Sequence, residues 1–152
     1  MVKKILKWIG IFLFGFIVLF ALLAAYMAYK QSEYNETALP YIKKVIPIIS
    51  EWNPEKSRPL FVASTFDNVS DEDYSKLFNW FSKLGVLNSM DEPEFLKVTS
   101  GATVLEGAST IVSYGVLAHY ENGDAQITIS LLDLGSSFEI YHFNLKSKAL
   151  IE

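Results

Sequence analysis

Between Trp8 and Tyr29 the chain runs for 22 consecutive residues, WIGIFLFGFIVLFALLAAYMAY, without a charged side chain. Nothing else in the sequence restricts the fold as tightly, because an apolar segment of this length must satisfy its own backbone hydrogen bonds and find an apolar surrounding. As a helix it is about 33 Å long, which matches a hydrocarbon core of about 30 Å. Trp8 stands at one end and Tyr26 and Tyr29 at the other, where amphipathic rings favour the headgroup level. Lys3, Lys4 and Lys7 precede the run and only Lys30 directly follows it, a bias that keeps the amino terminus cytoplasmic. Gln31 to Glu152 are then expected outside the cytoplasmic membrane, as a periplasmic domain.

Basic residues, an apolar stretch and small residues at Ala24 and Ala25 are also the parts of a cleaved signal peptide. The length favours an uncleaved anchor, since a signal core runs to about 15 residues. The best cleavage positions would also set Leu22 or Leu23 where a small residue is preferred. Ala21, Ala24, Ala25 and Ala28 form two small-xxx-small pairs, the spacing that lets a second membrane helix approach, although ordinary alanine content produces the same pattern. The expected organisation is a cytoplasmic tip and transmembrane anchor over residues 1–30, a polar neck over 31–38, and an extracytoplasmic domain over 39–152.

Charge separates the two parts. Every one of the 17 acidic residues follows Tyr29, and from Gln31 onward 9 Lys and Arg face them, so the outer part carries −8. A surface of that sign repels phosphate backbones, which argues against nucleic acid as a partner. With 51% apolar and 20% charged residues the chain is not a disordered polyanion. It has no cysteine, which removes disulfides, thiolate metal sites and cysteine nucleophiles.

Beyond the neck, Leu39, Ile42, Val45, Ile46 and Ile49 recur at helical intervals, with Pro47 expected to kink the helix. Asn53 to Pro59 reads as a loop, and LFVASTF as a short helix or strand. A helix over Asp71–Leu84 has Ser70 as cap, Asp73 at the capping-box position, acidic residues in its first turn and Gly85 beyond its end. Leu77, Phe78, Trp80, Phe81 and Leu84, extended by Tyr74, give it a wide apolar stripe. A polar connection over Asn88 to Pro93 leads to strands at Glu94–Thr99 and Thr103–Glu106, then to three longer ones at Thr110–Glu121, Asp124–Leu134 and Phe138–Lys146. Helices followed by an antiparallel meander predict an α+β fold, with helices packed on one face of a curved sheet.

Asn122-Gly123 predicts a two-residue type I′ turn. That register pairs Tyr120 with Ala125, Ala118 with Ile127, Val116 with Ile129 and Tyr114 with Leu131 on a core face, and turns His119, paired with Gln126, outward. Gly135-Ser136-Ser137 allows a two- or three-residue loop, and the three-residue version, favoured by burial, sets Tyr141, Phe143 and Leu145 opposite Leu131, Ile129 and Ile127 and turns His142 outward. Leu117, Leu132, Leu134, Phe138 and Ile140 are left on the outer face, as a contact surface or under the chain's own loops.

The chemistry is sparse. Glu139 and His142 have a metal-like spacing, but on a strand they point to opposite sides. No Gly-x-Ser-x-Gly elbow, phosphate loop, dinucleotide fingerprint or calcium loop is present, so no catalytic, cofactor-binding or metal residue is assigned and no cofactor is expected. Trp52, Phe66, Tyr74, Trp80, Tyr114 and Tyr120 either line a pocket between helices and sheet or simply fill the core.

The element order, ending in SLLDLGSSFEIYHFNLKS, resembles the cystatin-like and nuclear-transport-factor-2-like α+β roll. More narrowly, Trp52, Leu84-Gly85, and the hairpin residues Gly135, Phe138, Ile140 and Phe143 are similar to those of small membrane-anchored bacterial envelope proteins of unknown function. The resemblance covers about Leu39 to Ser147 and implies a concave sheet cupped by helices, a shape used for small ligands, dimers and assembly modules. The expected function is a non-enzymatic, single-pass envelope protein, in contact with the lipid bilayer and with a protein partner or a second copy of itself. The alternative is a small-ligand binder or cryptic enzyme acting in the concavity of the sheet.

Overall fold

Helix α1 runs over Val2–Ile49 in the computed structural model, which describes residues 2–103 and 107–151 and the side chains of residues 7–101 and 109–151. The chain divides into two units, Met1–Tyr34 and Asn35–Glu152. In the first, every residue from Lys7 to Tyr29 is exposed, including Phe12, Phe14 and Phe20 at 76%, 69% and 67%. This helix is long and apolar enough to span a membrane.

The polar neck expected over residues 31–38 is helical, and α1 continues through both Pro40 and Pro47. A proline inside a helix forfeits one backbone hydrogen bond and strains the preceding turn. Burial of Ala38, Ile42, Val45, Ile46 and Ile49, all at 1% exposure or less, offsets that loss along one stripe. Trp52 follows the helix with φ 56, in left-handed backbone.

Asn53 to Ser57 is not the loop the sequence suggested. Asn53 Oδ1 accepts from the backbone N–H of Glu55 at 3.0 Å and of Lys56 at 3.2 Å, and Pro54 occupies the first turn of a short helix, α2 (Pro54–Ser57). Two 3₁₀ turns follow, Arg58–Leu60 and Ala63–Phe66, and between them Phe61 makes a parallel bridge to Ile140. Helix α3 (Asp71–Phe81) starts where Ser70 predicts: the Ser70 hydroxyl accepts from Asp73 N–H at 3.1 Å and donates to the Asp73 carboxylate at 2.7 Å. A 3₁₀ turn, Ser82–Leu84, completes it, and Gly85 closes with φ 77. The buried arc is narrower than the sequence stripe. Tyr74, Phe78, Phe81 and Leu84 are inside, whereas Leu77 and Trp80 are 42% and 41% exposed.

Among the described residues the sheet has five antiparallel strands: β1 (Leu87–Met90), β2 (Glu94–Thr103), β3 (Gly107–Tyr120), β4 (Gly123–Asp133) and β5 (Phe138–Lys146). Strand β3 is the axis, with β1 and β2 end to end along one edge and β4 then β5 on the other. Part of the connection expected over Asn88–Pro93 is thus a strand, since Leu87 to Met90 find partners at the end of β3. Thr103 ends β2, and the remainder of the strand expected over Thr103–Glu106 lies outside the described residues.

The first hairpin keeps the predicted faces but not the predicted pairs. Val112 opposes Leu131, Tyr114 opposes Ile129, Val116 opposes Ile127 and Ala118 opposes Ala125, a displacement of two residues that leaves every side chain on its expected side. Glu121 and Asn122 form the turn, in place of Asn122-Gly123, and Asn122 is not left-handed. Long-range bonds explain the shift: Glu121 N–H donates to Val86 O at 2.9 Å, Asn122 N–H to Leu84 O at 3.0 Å, and Asn122 Nδ2 to Lys83 O at 2.8 Å. The tip is shaped by the end of α3.

In the second hairpin Leu145 opposes Ile127 and Phe143 opposes Ile129 as predicted, but a bulge between Ser130 and Leu131 brings Ile140 opposite Leu131 and leaves Tyr141 47% exposed. Ile140 is therefore core, at 0% exposure, and Phe138 packs its ring 5.8 Å from Tyr41 of α1. Neither belongs to the outer-face patch. The core joins Val112, Tyr114, Val116, Ile127, Ile129 and Leu131 of the sheet to the buried stripe of α1, with Ser50 and Tyr120 hydroxyls 2.8 Å apart inside it.

Candidate functional site

Three groupings of polar and aromatic side chains result from this fold. On the outer face, alternation turns His119 away from the core, and register sets it directly opposite Asp124. Its Nδ1 lies 2.8 Å from Asp124 Oδ1, and its Nε2 lies 3.2 Å from Asp91 Oδ1, on the connection after β1. A neutral imidazole donates from one nitrogen only, so two carboxylates on opposite ring edges require the imidazolium. The hydrogen bond to Asp124 first, and that to Asp91 second, raise the histidine above its ordinary pKa. Because the carboxylates approach opposite nitrogens, they clamp the ring and do not converge on one point where an ion or substrate would sit. Asp91 N–H also donates to Leu117 O at 2.9 Å, so the clamp fastens the β1–β2 connection to β3.

The aromatic residues singled out by sequence do not meet in one place. Trp52 and Tyr120 come together, with rings 5.3 Å apart, and the Trp52 indole donates to Gly85 O at 2.8 Å. Tyr114 is fully buried, donates its hydroxyl to Asn35 Oδ1 at 3.1 Å, and is pushed up to about 12 by burial. Burial likewise raises Tyr120, against the opposing effect of its hydrogen bond with Ser50. Trp80 lies on the exposed side of α3, beside Leu145 and Leu150. Phe66 and Tyr74 lie at the other end of a row of ring contacts that runs through Phe78 and Phe81 to Trp52 and Trp80. The core face of the sheet is thus occupied by its own side chains and those of α1. Of the outer-face residues, Leu117 and Leu132 are half-buried, Leu134 is 49% exposed, and Thr128 and Ser130 separate the first two along β4. Ala21, Ala24, Ala25 and Ala28 are exposed along α1.

The third grouping contains Phe66 and Tyr74 of the aromatic set singled out from the sequence, with neighbours that the sequence did not select. The segment 61–69, α3 and β5 enclose a cavity of about 170 Å³. Its floor is aromatic: Tyr74 packs 4.8 Å from Phe78 and 5.1 Å edge-on from Phe66, which meets Phe61 at 6.0 Å. Arg58 lies over the Phe66 ring at 4.6 Å and is paired with Asp71. The Tyr74 hydroxyl is buried without a hydrogen-bond partner among the described residues, and burial pushes it up to about 12 although Arg58 acts in the opposite sense. Thr65 and His142 contribute polar atoms to the wall. Val69 and Leu77 are exposed beside it, and nothing in the sequence set Leu77 apart from the buried members of its stripe.

Comparison of the chain with protein-family models, curated proteins and solved structures found no match.

Proposed function

We propose that this protein is a single-pass, membrane-anchored envelope protein, amino terminus cytoplasmic, whose outer domain is a non-enzymatic interaction or assembly module. The carrying observation is the exposed helix from Trp8 to Tyr29, which presents uncharged, mostly apolar side chains in every direction around its axis. Such a surface is stable in lipid and not in water. Lys3, Lys4 and Lys7 on one side of the span support the cytoplasmic amino terminus, and periplasmic exposure of Asn35–Glu152 follows from that orientation. For the domain we favour a cystatin-like or nuclear-transport-factor-2-like roll, on the support of helices packed against one face of an antiparallel sheet. The non-enzymatic reading rests on the outer polar groups being paired with one another, as in the His119 clamp, and not aimed at a common point.

Fusions of alkaline phosphatase and of a fluorescent protein to Glu152 test the orientation: the phosphatase fusion is active and the other dark. A bright fluorescent fusion, or a chain released by alkaline carbonate, overturns the anchor and its topology. Cross-linking in intact membranes tests the module, with a species larger than the monomer expected. Recovery of monomer and lipid alone refutes it.

A further inference from the structure

We propose that the cavity between α3 and β5 is the anchor pocket of a docking surface, and that the protein partner inserts one phenyl or phenol ring carried on a basic segment. This deepens the interaction-module reading and rests on it.

Size limits the occupant. An enclosed volume of about 150 Å³ accepts benzene, and drug-sized ligands need about 300 Å³ or more. The observed 170 Å³ holds one six-membered ring. The rim shows that the occupant continues outside. Val69, Leu77 and Tyr141 are 39%, 42% and 47% exposed around the opening, whereas Tyr74, Phe78 and Phe81 in the floor are at 7% or less. A small molecule confined to the cavity would leave three large apolar side chains in water. A side chain whose own backbone crosses the rim covers them, which is the form of an interface anchor ringed by water-excluding contacts.

Charge selects what flanks the ring. The segments carrying the rim, residues 58–77 and 138–146, hold Asp67, Asp71, Glu72, Asp73 and Glu139 against Arg58, Lys76 and Lys146. Arg58 and Lys76 are already engaged, Arg58 with Asp71 and Lys76 with Glu72 at 2.7 Å. The surplus is acidic, in keeping with the −8 of the chain beyond Tyr29, and it complements a basic segment.

The test uses the full chain in nanodiscs of zwitterionic lipid and three short peptides: a tyrosine flanked by lysines, alanine in the same lysine frame, and tyrosine flanked by glutamates. Fluorescence anisotropy is expected to show binding of the first, with the other two weaker by about tenfold or more. Leu77→Lys, at an exposed position, is expected to weaken the first peptide about tenfold while the circular dichroism spectrum and thermal midpoint stay unchanged. Equal binding of the alanine peptide, no effect of Leu77→Lys, or no binding of any peptide overturns the proposal. Uptake of p-cresol without peptide binding overturns it too, in favour of a small-molecule cavity. Membrane cross-links that survive Leu77→Lys sink only this pocket and leave the interaction-module reading standing.

Discussion

Replacing Gly85 by alanine tests how the end of α3 fixes the β3–β4 turn. Gly85 has φ 77 and ψ −153, a backbone region reserved in practice for glycine, so any side chain there costs about 1–3 kcal/mol in strain. A Cβ at this position would also lie 2.9 Å from the Glu121 Cβ, 2.8 Å from its Oε2 and 3.2 Å from Asn122 Nδ2. The close atom at Glu121 is the root of a side chain, which cannot swing aside, and such overpacking costs about 1–3 kcal/mol more. The expected total is about 2–6 kcal/mol. Gly135→Ala is the control: φ is 85, but nothing lies within 4 Å of the added carbon, so strain alone applies, at about 1–2 kcal/mol. Urea unfolding of the full chain in detergent micelles, followed by tryptophan fluorescence, measures both. Glu121→Gly in the Gly85→Ala background is expected to recover the overpacking part and leave the strain. If Gly85→Ala is no worse than Gly135→Ala, the docking of turn on helix end does not set the local geometry and the reasoning fails.

His119 is expected to titrate above the ordinary histidine value when followed by NMR, and Asp124→Asn to lower the midpoint more than Asp91→Asn, the reverse order contradicting the assignment. Because the folded state holds this proton more tightly, the clamp's contribution is complete below pH about 6.5 and fades as pH rises through the raised pKa. The Ser113 and Ser130 hydroxyls, 2.8 Å apart and buried, predict that Ser130→Ala costs about 1–3 kcal/mol in urea unfolding, and that adding Ser113→Ala restores most of it. Tyr74 and Tyr114, both raised to about 12 by burial, keep protons that the unfolded chain loses near pH 10. Their contribution is intact below pH 10 and is lost between 10 and 12, so the part of the 295 nm absorbance change that Tyr74→Phe and Tyr114→Phe remove is expected to coincide with alkaline unfolding. Ionisation of Tyr74 or Tyr114 in a still-folded chain would contradict this.

Local chemistry made the Trp8–Tyr29 run, the Ser70 cap and the alternation of β3 and β4 readable in sequence. Parity was robust because the turn moved the register by two residues, and an even slip preserves faces. The turn itself was not readable, since Glu121 and Asn122 answer to Leu84 and Val86, far away in the chain. The same limit hid the bulge that turns Phe138 and Ile140 inward, and strand β1, whose partners lie at the far end of β3. Asn53-Pro54 did carry a readable helix start, masked by reading the next proline as loop. The pocket behind Leu77 was unreadable because an exposed and a buried leucine look alike in a helical stripe until the neighbouring strand is placed.

The position of β3 has a kinetic consequence. From Thr110 to Gly115 and from Ala118 to Tyr120 it is paired on both edges, with β2 or β1 on one side and with β4 on the other. Successive amides of β3 point to alternate edges, so those facing β2 or β1 are released when that edge opens and those facing β4 are not. Hydrogen exchange of the β4-facing amides between Val112 and Gly115 is therefore expected to report opening of the sheet's centre, while β2, paired only with β3 among the described residues, exchanges through local opening. Alternate amides of one strand thus act as two clocks, a slow one set by the centre of the sheet and a faster one set by its edge.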